Sequence, residues 1–241
     1  MELTREKLSL AKIIFNHVPK AGGTSLVYFF YELFDPEVCF RHANRNAITG
    51  KHSPPINKLS KSELQAFRFI CGHFDFGNHT RFKGPAMYLG VMRDPFERVM
   101  SDYFFNKGQG RDDLKEIANR LTLEEYIQDK MKQPKSRLVT SCQTVYLSGQ
   151  AKAEAAMAII EEWYLACCTN EQLDDMQRML ARLYNRPDLA PTRMNVTKAP
   201  RENIEISAET QALMDERFEE DYKLLAWVRD RFENVYRTQT V

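Results

Sequence analysis

Three short stretches combine residue types in ways that suit anions and proton transfer. The first is Pro19-Lys20-Ala21-Gly22-Gly23-Thr24-Ser25. Gly22 and Gly23 allow main-chain N–H groups to come close to a phosphate. Thr24 and Ser25 add hydroxyls where a helix would start, and Lys20 adds a full positive charge. The lysine precedes the glycines and no Gly-Lys-Ser/Thr follows, so the order is not that of a Walker A loop. That argues against an ordinary ATPase or GTPase. The second stretch runs from Arg93-Asp94-Pro95 to Ser101-Asp102-Tyr103. A guanidinium fork with a hydroxyl further along a helix suits a terminal phosphate. The third is Gly72-His73-Phe74-Asp75. An imidazole there can titrate near neutrality and take a proton from an attacking hydroxyl, with Asp75 as the alternative base. Taken singly, each stretch also reads as ordinary structure: a glycine turn, an exposed Arg–Asp pair and a histidine at the rim of a core.

The surrounding pattern gives the three a common address. Short apolar runs at Lys12–Val18, Phe67–Cys71, Ala86–Met92 and Trp163–Cys168 read as buried strands. Helical segments alternate with them: Leu26–Phe34, a short helix opened by Ser60 and Glu63, Phe96–Asn106 with Pro95 near its first turn, and one after Thr122 and Glu125. Further helices are expected over Ala151–Glu162, after Thr169 to about Tyr184, and from Ser207 to about Phe232. Asp35–Lys58, Gly108–Leu121 and Asn185–Ile206 read as loops. Alternation of this kind predicts an α/β fold, a single domain over residues 1–241 with a central parallel sheet flanked by helices. Ligands of such sheets sit at the carboxyl ends of strands, and each of the three stretches follows a predicted strand. His17 lies inside the first strand and reads as structural.

The bulk composition is consistent with this. Hydrophobic residues make up 43% and charged residues 28%, which suits a globular domain. Basic and acidic residues nearly cancel, at net +1, so no general attraction to nucleic acid or anionic membrane is expected and any phosphate site must be local. Five cysteines without a CxxC pair support neither a disulfide framework nor a zinc knuckle. With no export signal and no membrane span read in the sequence, a cytoplasmic protein with reduced thiols is expected, and the sequons at Asn78 and Asn195 read as chance matches.

His17-Val18-Pro19-Lys20-Ala21-Gly22-Gly23-Thr24-Ser25-Leu26 resembles the 5′-phosphosulfate loop of sulfotransferases that use 3′-phosphoadenosine 5′-phosphosulfate (PAPS), in the glycan-modifying branch. Arg93 to Tyr103 is similar to the family's 3′-phosphate motif, with Arg93 and Ser101 at its two binding positions. Gly72-His73 matches the Gly-His of glycan 2-O-type enzymes, whose histidine is the general base. Weaker likenesses occur at Gln143–Gly149 (a substrate-side segment), Thr169–Leu173 (a turn near the nucleotide) and Asn195–Lys198 (a loop closing over the cofactor). The late RKGxxGDWK segment of aryl and steroid enzymes is missing. The resemblance implies a P-loop-like phosphosulfate loop with PAPS as donor and PAP as product. Lys20, Ala21, Gly22, Gly23, Thr24, Ser25, Arg93 and Ser101 would bind the nucleotide, and Lys20 and His73 would be catalytic without a metal. It also implies an acceptor hydroxyl on a small molecule or glycan; members of that branch are usually anchored in Golgi membranes, and since no anchor is read here, a soluble, bacterial-type enzyme is expected. Two other readings stay open: a nucleotide-dependent phosphotransferase, and a non-catalytic nucleotide- or glycan-binding module. Neither the acceptor nor the oligomeric state is legible.

Overall fold

The computed structural model describes residues 10–43, 49–133, 136–194 and 206–237. Its centre is a five-stranded sheet, every pairing parallel: β1 (Lys12–Asn16), β2 (Cys39–Arg41), β3 (Phe69–Gly72), β4 (Ala86–Met92) and β5 (Tyr164–Thr169), in the order β2-β3-β1-β4-β5. Parallel strands must be joined by crossovers; helices lie in those between β1 and β2, β2 and β3, and β4 and β5, only a short turn of 3-10 helix (Asn78–Arg81) lies between β3 and β4, and the last three helices follow β5. In chain order the helices are α1 (Thr24–Leu33), α2 (Lys61–Leu64), α3 (Pro95–Gln109), α4 (Asp112–Arg120), α5 (Leu123–Lys132), α6 (Cys142–Ser148), α7 (Ala153–Trp163), α8 (Leu173–Leu183), α9 (Ala208–Arg217) and α10 (Glu219–Arg231).

Alternation along β1 decides which layer each side chain enters. Ile13 and Phe15 join one buried cluster with Leu26, Phe29 and Phe30 of α1 and Met176 and Leu180 of α8. Ile14, from the opposite face, joins Leu147 of α6, Ile160 of α7 and Leu224 of α10. A third cluster, built on Val99, Tyr103, Tyr126, Ile127 and Phe218, packs α3, α5 and the α9–α10 junction together beside the sheet. α3 is therefore held from a side that the sheet does not supply.

The helix starts follow the expected chemistry. Ser60 with Glu63 and Thr122 with Glu125 close reciprocal caps, Asp94 accepts from Glu97 N ahead of Pro95, and the Ser207 hydroxyl accepts from Thr210 N.

Several expectations are corrected. β1 ends at Asn16 because His17 and Val18 already belong to the turn that leaves the sheet. β2 lies in a segment read as irregular: three residues among prolines carry no periodicity, yet they pair with β3. Gly108–Leu121 is not a loop: α3 runs to Gln109, and α4 starts at Asp112. The last helix is two, divided at Phe218, which is buried in the third cluster. Trp163 ends α7 rather than starting β5. The Asn195–Lys198 likeness and the second sequon lie outside the described residues.

Candidate active site

β3, β1 and β4 are neighbours, so the loops leaving their carboxyl ends emerge side by side. Asn16 is level with Gly72 of β3 and with Gly90 of β4, and His17 N donates to Gly72 O at 3.0 Å. The three polar stretches thus meet because the strand order brings them together.

The β1–α1 loop turns sharply. Lys20 has φ 66° and Gly22 φ 88°, both in the left-handed region that glycine accepts readily and lysine does not. Ala21 N donates to Val18 O at 3.3 Å, inside the turn. Gly23 precedes α1 with no side-chain cap, and the first turn of α1 contains no acidic residue. The N–H groups of Gly22, Gly23 and Thr24 have no acceptor among the described residues. A helix start of this kind leaves donors and a positive dipole end at the carboxyl end of β1. Close packing requires both glycines. A Cβ on Gly22 would lie 2.1 Å from Asn170 Oδ1, and one on Gly23 would lie 2.5 Å from His17 Cδ2 and from Phe15 Cζ. Ser25 is buried, and its hydroxyl accepts from Met194 N at 3.0 Å, so this member of the predicted set is engaged by the later loop.

The Lys20 ammonium rests over the Phe105 ring, 3.5 Å from the centroid. Burial lowers its pKa to about 8; the Asp102 carboxylate acts upward on it and Arg93 downward. Glu97, Ser101 and Phe105 form one i, i+4 row along α3, so Ser101 lies on the same side of the helix as the ring that touches Lys20. No hydrogen bond joins Ser101 to the loop among the described residues.

Arg93 is bound to the loop directly. Its Nη1 donates to Lys20 O at 3.3 Å and its Nη2 to Glu97 Oε2 at 3.2 Å. A guanidinium carries five N–H donors, so among the described residues these contacts leave part of the fork unengaged. On the other flank, His73 Nδ1 lies 2.6 Å from His17 O. A carbonyl only accepts, so Nδ1 carries the proton and Nε2 is left with the lone pair. His73 is exposed, while one side of its ring packs against the His17 ring. Burial lowers its pKa; the bond to His17 O opposes this, and the charges of Arg41, His42 and Lys20 add to the lowering. His17 is buried between Phe15 and His73, with ring centroids 5.2 and 4.6 Å away. Burial, before any charge, holds it well below the usual imidazole range, which fits a structural role. Asp75, the alternative base, is paired with Arg137 at 2.8 Å.

A profile described as the sulfotransferase family matches residues 9–227. The chain belongs to the sulfotransferase family. Among curated sulfotransferases it is 24% identical over 202 residues to a heparin sulfate O-sulfotransferase of Drosophila melanogaster, covering 72% of this chain and 57% of that one. It is 30% identical over 106 residues to heparan sulfate 2-O-sulfotransferase 1 of Xenopus laevis, with 39% of this chain and 28% of the relative covered. Human uronyl 2-sulfotransferase matches at 26% over 102 residues, 40% of this chain and 25% of that one. The chain thus spans little more than half of the first relative and about a quarter of the other two. Among the described residues no helix is long and apolar enough to cross a membrane.

Four residues beside this sulfotransferase loop were not singled out from sequence. Arg41, at the end of β2, lends its charge to His17 and His73. Asn170 sits over Gly22, Phe105 lies under Lys20, and Gln143 binds the main chain of Arg93. Asn170 and Gln143 fall in segments noted for their resemblance, but nothing in their spacing points at these partners.

Proposed function

We propose that the protein transfers a sulfuryl group from PAPS to a hydroxyl of a carbohydrate or glycan. The observation that carries this reading is that both flanking motifs bind the main chain of one loop: Arg93 donates to Lys20 O and His73 to His17 O. On this reading a donor cradle, a second phosphate fork and a base are tied to one loop. The residues fit the nucleotide: uncapped N–H groups and a lysine suit its 5′ end, and a guanidinium with donors unengaged among the described residues suits its 3′-phosphate. When bound, PAPS supplies an activated sulfuryl group on a phosphate leaving group.

The chain's own residues would then act as follows. His73 Nε2 takes the proton of the acceptor hydroxyl as its oxygen attacks sulfur in line. Lys20 leaves the Phe105 ring and places its charge where the leaving phosphate becomes negative. The N–H groups of Gly22 and Gly23 and the hydroxyl of Thr24 hold the 5′-phosphate, with Ser25 joining if it releases Met194. Arg93 and Ser101 hold the 3′-phosphate and so align the donor. The relatives' names favour a glycan acceptor. Five buried free thiols support a cytoplasmic setting.

The test is transfer of labelled sulfate from PAPS to a panel of sugars, phenols and lipids, with mass analysis of products and a parallel arm in chelator. Sulfated sugar formed equally with and without chelator is the expected result. Phosphoryl transfer from ATP that requires magnesium would replace this reading with the phosphotransferase. Tight PAP binding without any transfer would replace it with a binding module.

A further inference from the structure

The last register pair between β4 and β5 is Met92 with Thr169, so Arg93 lies just beyond the ladder. Its peptide is nevertheless held at both ends by one side chain. Arg93 N donates to Gln143 Oε1 at 3.0 Å, and Gln143 Nε2 donates to Arg93 O at 2.8 Å. Gln143 is fully buried and lies in the first turn of α6. Its amide does for Arg93 what a neighbouring strand does inside the sheet.

α6 is itself pinned. Asp221 of α10, completely buried, accepts from Gln143 N at 3.2 Å, from Thr144 N at 2.8 Å and from Thr144 Oγ1 at 2.7 Å. Ser141, which stands where a capping side chain would, makes no cap bond to α6; its hydroxyl donates instead to Arg217 O at 2.9 Å. A carboxylate without solvent is costly unless its oxygens are used, and here three donors use them. The chain Asp221–Gln143–Arg93 therefore runs from the last long helix to the fork without a break.

We propose that Gln143 is a positioning residue for the 3′-phosphate site: clamped by Asp221, it fixes the Arg93 peptide and so directs the guanidinium. This rests on Arg93 being the 3′-phosphate fork. Gln143 touches no nucleotide and acts only through Arg93.

The variant Gln143→Met keeps length and burial and removes both hydrogen bonds. Adenosine 3′,5′-bisphosphate and adenosine 5′-monophosphate are titrated by calorimetry into wild type, Gln143→Met, Arg93→Ala and the double variant, with melting curves for each. The expected result is about a tenfold loss of bisphosphate affinity in Gln143→Met with monophosphate affinity unchanged. In the Arg93→Ala background the same change should have no further effect, because the group it directs is gone. Equal loss for both nucleotides, or loss for neither, would overturn the positioning role. An unchanged preference in Arg93→Ala would instead overturn the reading of Arg93 itself and this inference with it. If Gln143→Met does not fold, Asp221→Asn, which keeps the clamp's shape, replaces it. A several-fold loss confined to the bisphosphate supports the proposal, and an equal loss for both nucleotides rejects it.

Discussion

Lys20 and His73 have pKa values that the protein, rather than the free amino acid, determines. Burial brings Lys20 to about 8. A phosphate placed beside it would favour the charged form and raise that value. Well below pH 8 the ammonium is charged with or without nucleotide, so binding moves almost no proton there. Above it, binding takes a proton up, and PAP affinity should fall as pH rises. Calorimetry near pH 9 in buffers of different ionisation enthalpy should show an uptake approaching one proton; an enthalpy independent of buffer would contradict this. Lys20→Ala should lower turnover by about a hundredfold to a thousandfold while weakening PAP binding much less, since the charge it answers grows in the transition state. For His73 the direction is opposite to that of a paired histidine. Its pKa is depressed, so the neutral ring is favoured in the fold. The stability this gives is full above the unfolded value of about 6.5 and is lost as pH falls through it toward the lowered one. The rate should follow the same neutral form, flat above neutrality and falling on an acid limb that lies below 6.5. His73→Ala should cost roughly a hundredfold to ten-thousandfold and abolish that limb. A pH–rate profile of wild type and variant checks both statements.

At the scale of elements, the β1–α1 turn is the tightest joint. Gly23 has φ −63° and ψ −10°, a conformation any residue adopts, so a substitution there meets only steric resistance. A methyl group would press on Phe15 and on His17, whose carbonyl holds His73. Gly23→Ala should therefore lose about 1–3 kcal/mol of stability in denaturant titration and lose activity beyond what unfolding explains. The sequence made this joint readable as a tight turn because Gly22 and Gly23 stand between an apolar run and an aromatic helix. Capping pairs such as Thr122 with Glu125 were readable for the same reason: the chemistry lies within four residues. What was not readable depends on distant partners. β2 is too short to show alternation, and only the edge of β3 makes it a strand. Gly108–Leu121 reads as a loop from sequence alone, but two residues suffice between α3 and α4. Asp221 follows two other acids at the start of α10, a pattern that suits the helix dipole and says nothing of burial. Its contact with Gln143 spans 78 positions, and Gln143's contact with Arg93 spans 50, so no local pattern encodes either.

Over the whole molecule, the residues proposed to do chemistry all come from β1 through the middle of α3, whereas the parts that steady them arrive later in the chain. α10 closes one face of the sheet through Leu224, Leu225 and Val228 and supplies Asp221. A chain ending before Glu219 should lose its cooperative melting transition and its preference for PAP over AMP, measurable by calorimetry on the purified fragment. The strand order has a further consequence during synthesis. β4 has left the ribosome long before β5 is made, and the two are partners along most of their length. At translation speeds of about 5–20 residues per second, β4 waits on the order of ten seconds as a bare, apolar sheet edge. That interval, rather than the finished protein, is where strand-to-strand association between nascent copies competes with folding. Slower decoding between α3 and α7 would lengthen it, and a holdase that covers β4 would be needed only until Thr169 emerges.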